Sequence, residues 1–151
     1  MNKELQVNAL ENGTVIDHIP SDKLFKVVTL LRLEREMERV TIGNNLSSKN
    51  MVSKGIIKVA DRFYAEEEIN RIALLAPQAT INTIRNYEVT EKKVLLLPER
   101  LTGVVRCPNP KCITNNEPMR TRFETIGRKP IVLKCQYCER EVREEDITIQ
   151  Q

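Results

Sequence analysis

Four cysteines carry the most specific chemistry in this sequence. Cys107-Pro-Asn-Pro-Lys-Cys112 and Cys135-Gln-Tyr-Cys138 form a C-x4-C and a C-x2-C pair separated by 22 residues. Each short loop can turn two sulfurs toward one point, and two such knuckles close a tetrahedron around zinc with Zn–S bonds near ~2.3 Å. Four thiolates leave no ligand position for water, so the expected metal, one Zn2+, is structural and not catalytic. Iron in the same ligand set stays open. Two disulfides are the alternative pairing, but the first twenty residues have no export signal and cytosolic thiols stay reduced. A thioredoxin-like role for Cys135 and Cys138 requires a strand before the pair and a helix after it. Here strand-like Ile131-Val132-Leu133 precedes the pair and charged Glu139-Arg140-Glu141 follows.

All four cysteines lie in the last third of the chain, which implies two domains. Leu97-Pro98-Glu99-Arg100 marks the boundary, because Pro98 lacks a backbone donor and disfavours helix at Leu97. The remaining tail is short and its apolar set modest, so a core there contributes at most ~3–5 kcal/mol and a metal staple is expected. In the first hundred residues, Leu5, Val7 and Ala9 alternate as a strand reaching the Asn12-Gly13 turn, and Val15 to Pro20 continues extended. Ser21 is positioned to cap a helix carrying Leu24, Val27, Val28 and Leu31 on one face. The charged run Glu34 to Arg39 reads as a solvated turn or strand approach. Val40, Ile42 and Leu46 suggest a second strand, and Ile56 to Val59 a third. Glu66 to Glu68 suit the start of a second helix, with Ile69, Ile72, Ala73 and Ala76 on its buried stripe and Pro77 as its stop. Ala79 to Val89 reads as strand four, with Val94 to Leu97 as a short extra strand. The order βαββαβ is the ferredoxin-like plan, two helices on one face of an antiparallel sheet. The fold class is α+β, with a small all-β zinc-ribbon or rubredoxin-like domain at the C-terminus.

Charge and composition narrow the function. Of 151 residues, 24 are Lys or Arg and 21 Asp or Glu, a net charge of +3 that falls to about +1 with four thiolates and one divalent ion. A nucleic-acid binder usually shows a far more basic field, and 4% aromatics without Trp leave few stacking platforms. Charges interrupt every apolar run well short of the ~18–20 residues of a membrane span. No Gly-rich phosphate loop, carboxylate dyad or Ser-His-Asp arrangement is present, so the chain is expected not to be an enzyme. Asp17, His18, Lys58 and Lys92 stand on strand-like segments where packing does not demand them. A single such lysine is ordinarily a solvated edge-breaker, and a lone histidine an ordinary hydrogen-bonded one.

Several segments together are more specific: Leu5-Gln6-Val7, Gly13-Thr14-Val15-Ile16-Asp17-His18-Ile19-Pro20, Ala76-Pro77-Gln78-Ala79-Thr80, Asn86-Tyr87-Glu88-Val89, Leu97-Pro98-Glu99-Arg100, Cys107-Pro-Asn, Leu133-Lys134-Cys135 and Tyr137-Cys138-Glu139. With these the sequence resembles the regulatory chain of aspartate carbamoyltransferase along essentially its whole length. The resemblance implies a non-catalytic, cytoplasmic subunit of pyrimidine biosynthesis. Residues 1–97 would be a nucleotide-effector-binding allosteric domain, 98–103 a linker, and 104–151 a zinc domain gripping the catalytic chain. Regulatory dimers would bridge catalytic trimers, with CTP inhibiting and ATP activating. The family roles fall on Asp17 and His18 near the ribose and phosphates, on Lys58 and Lys92 at the triphosphate, and on Val7, Leu10, Tyr87 and Val89 around the base. Lys54 is a weaker candidate, and Lys93 beside Lys92 leaves two choices for the second phosphate lysine. The rival from another class is a nucleic-acid-binding zinc ribbon using Arg120, Arg122, Arg128 and Lys129, set against six Glu and one Asp in the same segment. A redox enzyme using the cysteine pairs is the other.

Overall fold

The computed structural model describes residues 10–49 and 52–150. The chain divides into two compact units, Met1–Leu96 and Leu97–Gln151. The strand expected over Leu5, Val7 and Ala9 lies outside the described residues.

In the N-terminal unit the elements run β1 (Gly13–Pro20), α1 (Leu24–Leu30), β2 (Val40–Leu46), β3 (Lys54–Ala60), α2 (Glu66–Leu75), β4 (Thr80–Arg85) and β5 (Glu88–Val94). The sheet order is β2-β3-β1-β4-β5 with every neighbouring pair antiparallel, so β1 to β4 realise the ferredoxin-like plan and β5 extends it. Period-2 alternation separates the two faces. Ile16 of β1 faces Ile57 of β3 and Ile81 of β4, and all three are buried. Leu24 of α1 packs where a side chain at Gly55 of β3 would point, which puts α1 on that same face. Leu24, Val27, Ile72 and Ala73 complete the helix layer with no exposed surface.

Several local expectations change. Strand four is two strands, because Asn86 and Tyr87 both adopt positive φ, 51° and 66°. That is the geometry of a two-residue hairpin turn matched to strand twist. Of Val94 to Leu97 only Val94 is in a strand; Leu95 donates its N–H to the Ala79 carbonyl (2.9 Å) and is buried. Ser21 does not cap α1. The N-cap is Lys23 without a side-chain hydrogen bond, and the Ser21 hydroxyl instead accepts from Ser53 Oγ at 2.8 Å. Nor is Glu34 to Arg39 wholly solvated. Glu36 is only 11% exposed, its carboxylate held by Arg62 Nε at 2.9 Å and the Met37 N–H at 3.0 Å.

The C-terminal unit carries β6 (Arg100–Thr102), β7 (Val105–Arg106), β8 (Arg122–Arg128), β9 (Ile131–Cys135), β10 (Glu141–Arg143) and β11 (Thr148–Ile149). Strands β10-β9-β8-β6 form one antiparallel sheet and β11-β7 a ribbon. The stretch expected as linker therefore contains a strand, since β6 pairs with β8. Thr125 fastens the preceding turn by donating from Oγ1 to the Pro98 carbonyl (2.7 Å) and from its N–H to that of Glu99 (2.8 Å). Leu101, Phe123, Ile131, Leu133 and Val142 fill the inner face. The outer face alternates in charge along one row, Glu141, Lys134, Glu124, Arg100, an arrangement that stabilises cross-strand pairs. Among the described residues, no helix is long and apolar enough to cross a membrane.

Candidate metal centre and sheet-face site

Cys107 follows β7, Cys112 closes the bend after it, Cys135 ends β9 and Cys138 sits in the turn before β10. Their four sulfurs lie within 4.8 Å of one another. Cys107 Sγ is 3.6 Å from Cys138 Sγ, and Cys112 Sγ is 3.8 Å from Cys135 Sγ. A tetrahedron of ~2.3 Å bonds has edges of about 3.8 Å, so the sulfurs already stand where a single zinc would hold them. They are far beyond the ~2.05 Å of a disulfide, and the cysteines are free. The pair Cys135 and Cys138 leads into a strand, not a helix, and so lacks the setting of a thioredoxin motif.

Two asparagines shape the bend around Cys107 and Cys112. Asn115 donates both amide hydrogens, to the Cys107 carbonyl at 2.8 Å and that of Asn109 at 2.7 Å; Asn116 donates to Pro110 at 3.0 Å and Cys112 at 2.9 Å. Glu139 takes φ 65°, which turns the chain back after Cys138. Burial pushes the Cys107 thiol up to about 12 and that of Cys135 up as well. At Cys138 burial acts the same way but is outweighed by hydrogen bonds from the Arg140 backbone and the Asn109 side chain, which bring it down to about 7. Without a cation, four anionic sulfurs at this spacing are mutually repelling; a divalent ion removes that conflict.

The basic residues of the tail are partly committed elsewhere. Arg128 donates to the Leu97 carbonyl, and Arg120 approaches that of Thr102 at 3.4 Å.

On the N-terminal sheet, the face opposite α1 brings most of the remaining candidates together. Register sets Lys58 of β3, Val15 of β1, Asn82 of β4 and Lys92 of β5 side by side in one row. The two lysines are three strand spacings apart, roughly 14 Å between backbones. Lys93 pairs with Ile81 and belongs to the opposite face. Two residues along, Ala60, Gly13, Ile84 and Val89 form the next row. There Leu10, Ala60 and Ile84 make a buried apolar cluster with Val15 against it. Gly13 has φ 144°, and a Cβ on it would collide with the Val59 carbonyl oxygen and crowd Leu10.

In the other direction along β1, Asp17 accepts from Lys54 Nζ through both oxygens, at 2.9 and 3.2 Å. The His18 N–H also donates to Asp17 Oδ1 at 2.6 Å, and His18 Nδ1 lies 3.4 Å from Thr80 Oγ1. Lys54 is thus an ion-pair partner of Asp17, each about one-fifth exposed. Burial lowers the Lys58 ammonium pKa, with Asp17 opposing. His18 at φ 60° and Tyr87 at φ 66° hold sparsely populated backbone conformations, which concentrate at functional sites. Tyr87 and Val89 are exposed at the rim, and the Tyr87 N–H donates to the Glu11 carbonyl at 2.9 Å. Val7 lies outside the described residues. Val15, Ala60, Asn82 and Ile84 are not singled out by sequence reasoning, because nothing local marks which face of a strand they share.

A family model described as aspartate carbamoyltransferase regulatory chain, allosteric domain, matches residues 5–95, and one described as the metal binding domain of the same chain matches 99–148. The aspartate carbamoyltransferase regulatory chain of Parabacteroides distasonis is 58% identical over 147 residues, covering 97% of this chain and 96% of that one. That of Bacteroides fragilis is 59% identical over 145 residues (96% and 95%). That of Pyrococcus abyssi is 47% identical over 146 residues (95% and 96%). Both domains are matched and the relatives cover nearly the whole chain, so the chain belongs to the family of aspartate carbamoyltransferase regulatory chains, non-catalytic subunits that join an allosteric domain to a metal-binding domain.

Proposed function

We propose that the open face of the N-terminal sheet binds a nucleoside triphosphate effector, CTP or ATP, and that the zinc domain carries its effect to the catalytic chain of aspartate carbamoyltransferase. The observation that supports this most is the shared row of Lys58 and Lys92 across Val15 and Asn82, next to the apolar cluster around Leu10. The row offers two ammonium groups to a polyanion, with Asn82 as a neutral hydrogen-bonding floor. The cluster, with Tyr87 and Val89 at its margin, offers a flat apolar seat for a base, and the resemblance adds Val7 to the residues around it. Asp17 and His18 meet the ribose and phosphates from the far side.

In this reading residues 1–97 sense nucleotide, 98–103 connect, and 104–151 dock on the catalytic chain with Cys107, Cys112, Cys135 and Cys138 as zinc ligands. The zinc acts indirectly by ordering the strands of the docking surface. A second copy of the chain completes a regulatory dimer, for which the outer strand β2, with Ile42 and Leu46 exposed, supplies an edge that pairs with no further strand among the described residues. Reduced thiolates suit the cytoplasm. A nucleotide activates or inhibits only through its differential affinity for two quaternary states.

Calorimetric titration of CTP and of ATP into zinc-loaded protein, with Lys58→Ala as control, tests the first half. Saturable binding that the variant loses is expected, and no heat with either nucleotide removes the effector site. Cys112→Ser and Cys138→Ser test the second half: assembly with the catalytic chain should vanish while nucleotide affinity stays. Preserved assembly with lost nucleotide binding contradicts the division of labour.

A further inference from the structure

Beside the sulfur cluster, the C-terminal unit holds a concavity of about 440 Å3 walled by Arg106, Cys107, Pro108, Pro110, Asn115 and Thr148. Register sets Arg106 directly opposite Thr148 in the β7–β11 ribbon, so the two side chains emerge on the same side. Val105 before it is fully buried, while Arg106 is exposed. Among the described residues Arg106 has no ion pair, and neither the guanidinium nor the Thr148 hydroxyl has a hydrogen bond. We infer that this concavity receives a carboxylate side chain of the catalytic chain, with Arg106 as its charge partner. The inference rests on the reading that the zinc domain docks on that chain.

The donor inventory decides between a protein-borne carboxylate and a free anion. Pro108 and Pro110 have no N–H to give. The Lys111 N–H is taken by Asn109 Oδ1 at 3.0 Å, and both amide hydrogens of Asn115 go to backbone carbonyls. A free phosphate or small carboxylate would meet one guanidinium and one hydroxyl, too few to offset its lost hydration and translational freedom. A carboxylate fixed on a protein surface loses far less of either, and the planar fork of an arginine takes it through two parallel hydrogen bonds. The walls are set before binding: two prolines lock φ, and the Asn115 amide braces the bend between the cysteines. Such preorganisation strengthens association without added area.

The test titrates the zinc-loaded full-length chain and its Arg106→Ala, Arg106→Glu and Arg106→Lys variants into the catalytic chain of the same organism at two salt concentrations. Bound zinc and far-UV circular dichroism verify the fold of each, and Arg106→Gln replaces any variant that loses zinc. Arg106→Ala should weaken association by about 10- to 100-fold. Arg106→Glu should weaken it further, Arg106→Lys should retain part, and the differences should narrow as salt rises. Equal affinity of the native chain and Arg106→Glu overturns the inference and leaves the docking reading standing. No association of the native chain overturns the docking reading itself. A rise in melting temperature with inorganic phosphate, lost in Arg106→Glu, assigns the concavity to a free anion and also overturns the inference.

Discussion

Stripping the metal should unfold residues 97–150 and leave the N-terminal unit intact. The C-terminal unit buries only a small apolar set to 2% exposure or less: Leu101, Val105, Phe123, Ile131, Leu133 and Val142. A core of that size leaves at most ~3–5 kcal/mol of net stability, whereas a four-thiolate zinc contributes ~10–16 kcal/mol. Losing the larger quantity cannot be absorbed by the smaller. The sulfurs also organise the chain around them, since the bend between Cys107 and Cys112 is closed by Asn115 and Asn116 onto carbonyls of the same loop. The N-terminal core of Ile16, Ile19, Leu24, Val27, Ile57 and Ile72 shares none of these groups. Hydrogen exchange read by mass spectrometry, with and without chelator, is the direct assay. Peptides covering β8, β9 and β10 should lose protection to the level of an unfolded chain, while those covering β1, β3 and β4 keep theirs. Retained protection in β8 and β9 without metal would refute the argument, as would simultaneous loss in β1. The pH dependence has a definite sign. Burial pushes the Cys107 thiol up to about 12 and raises that of Cys135, so loading the metal releases protons and acid competes with it. Lowering the pH from about 8 to about 6 should let less chelator produce the same loss of protection.

Four further outcomes follow from single contacts. Gly13→Ala places a Cβ against the Val59 carbonyl at φ 144°, and should cost about 2–4 kcal/mol in urea denaturation; since the same atom crowds Leu10, any folded fraction should also bind nucleotide more weakly. Lys54→Met leaves the Asp17 carboxylate, only one-fifth exposed, without its cation, and should cost about 1–3 kcal/mol. Arg62→Met should cost at most about 1 kcal/mol, because Arg62 is 56% exposed and Glu36 keeps its bond from Met37. Among the described residues the buried Tyr64 hydroxyl has no hydrogen-bond partner within bonding geometry, so Tyr64→Phe should be neutral or stabilising by up to about 1 kcal/mol. Burial raises the Tyr64 phenol to about 12, favouring the neutral form in the folded state. The native chain should therefore lose stability as pH rises from about 10, where the unfolded phenol ionises. Denaturation compared at about pH 9 and pH 11 should show that part of the loss absent from the variant.

What the sequence disclosed depended on how local the physics was. The sulfur cluster was legible because two short loops determine where each pair of thiols points, and only their meeting required the fold. The helices were legible where apolar spacing was strong, as in Ile72 and Ala73. The start of α1 was misjudged, because Ser21 is engaged by Ser53 from the bend before β3, 32 residues away. The β4–β5 hairpin was hidden because its turn is Asn86-Tyr87, without the glycine that usually advertises two positive φ values. Glu36 looked solvated because its partner Arg62 is brought to it only by the loop after β3.

The proposed effector face shows the same limit more sharply. Lysines at 58 and 92 are each unremarkable in one dimension, and each has a solvated edge-breaker as its ordinary reading. What gives them a common purpose is register: a shift of one residue in β4 against β5 would exchange Lys92 for Lys93 and send the ammonium group to the helix-covered face. Thr90 makes this dependence concrete. The pairing slips between Thr83 and Ile84, and Thr90 stands at that irregularity with its hydroxyl donating to the Thr83 carbonyl at 3.3 Å. The extra residue there lets Val89 face Ile84 in the apolar row while Lys92 faces Asn82 in the charged one. Without it, strict alternation would put Val89 and Lys92, an odd number of positions apart, on opposite faces. The bulge therefore lets β5 present both an apolar and a cationic side chain on one face, as the proposed nucleotide site requires.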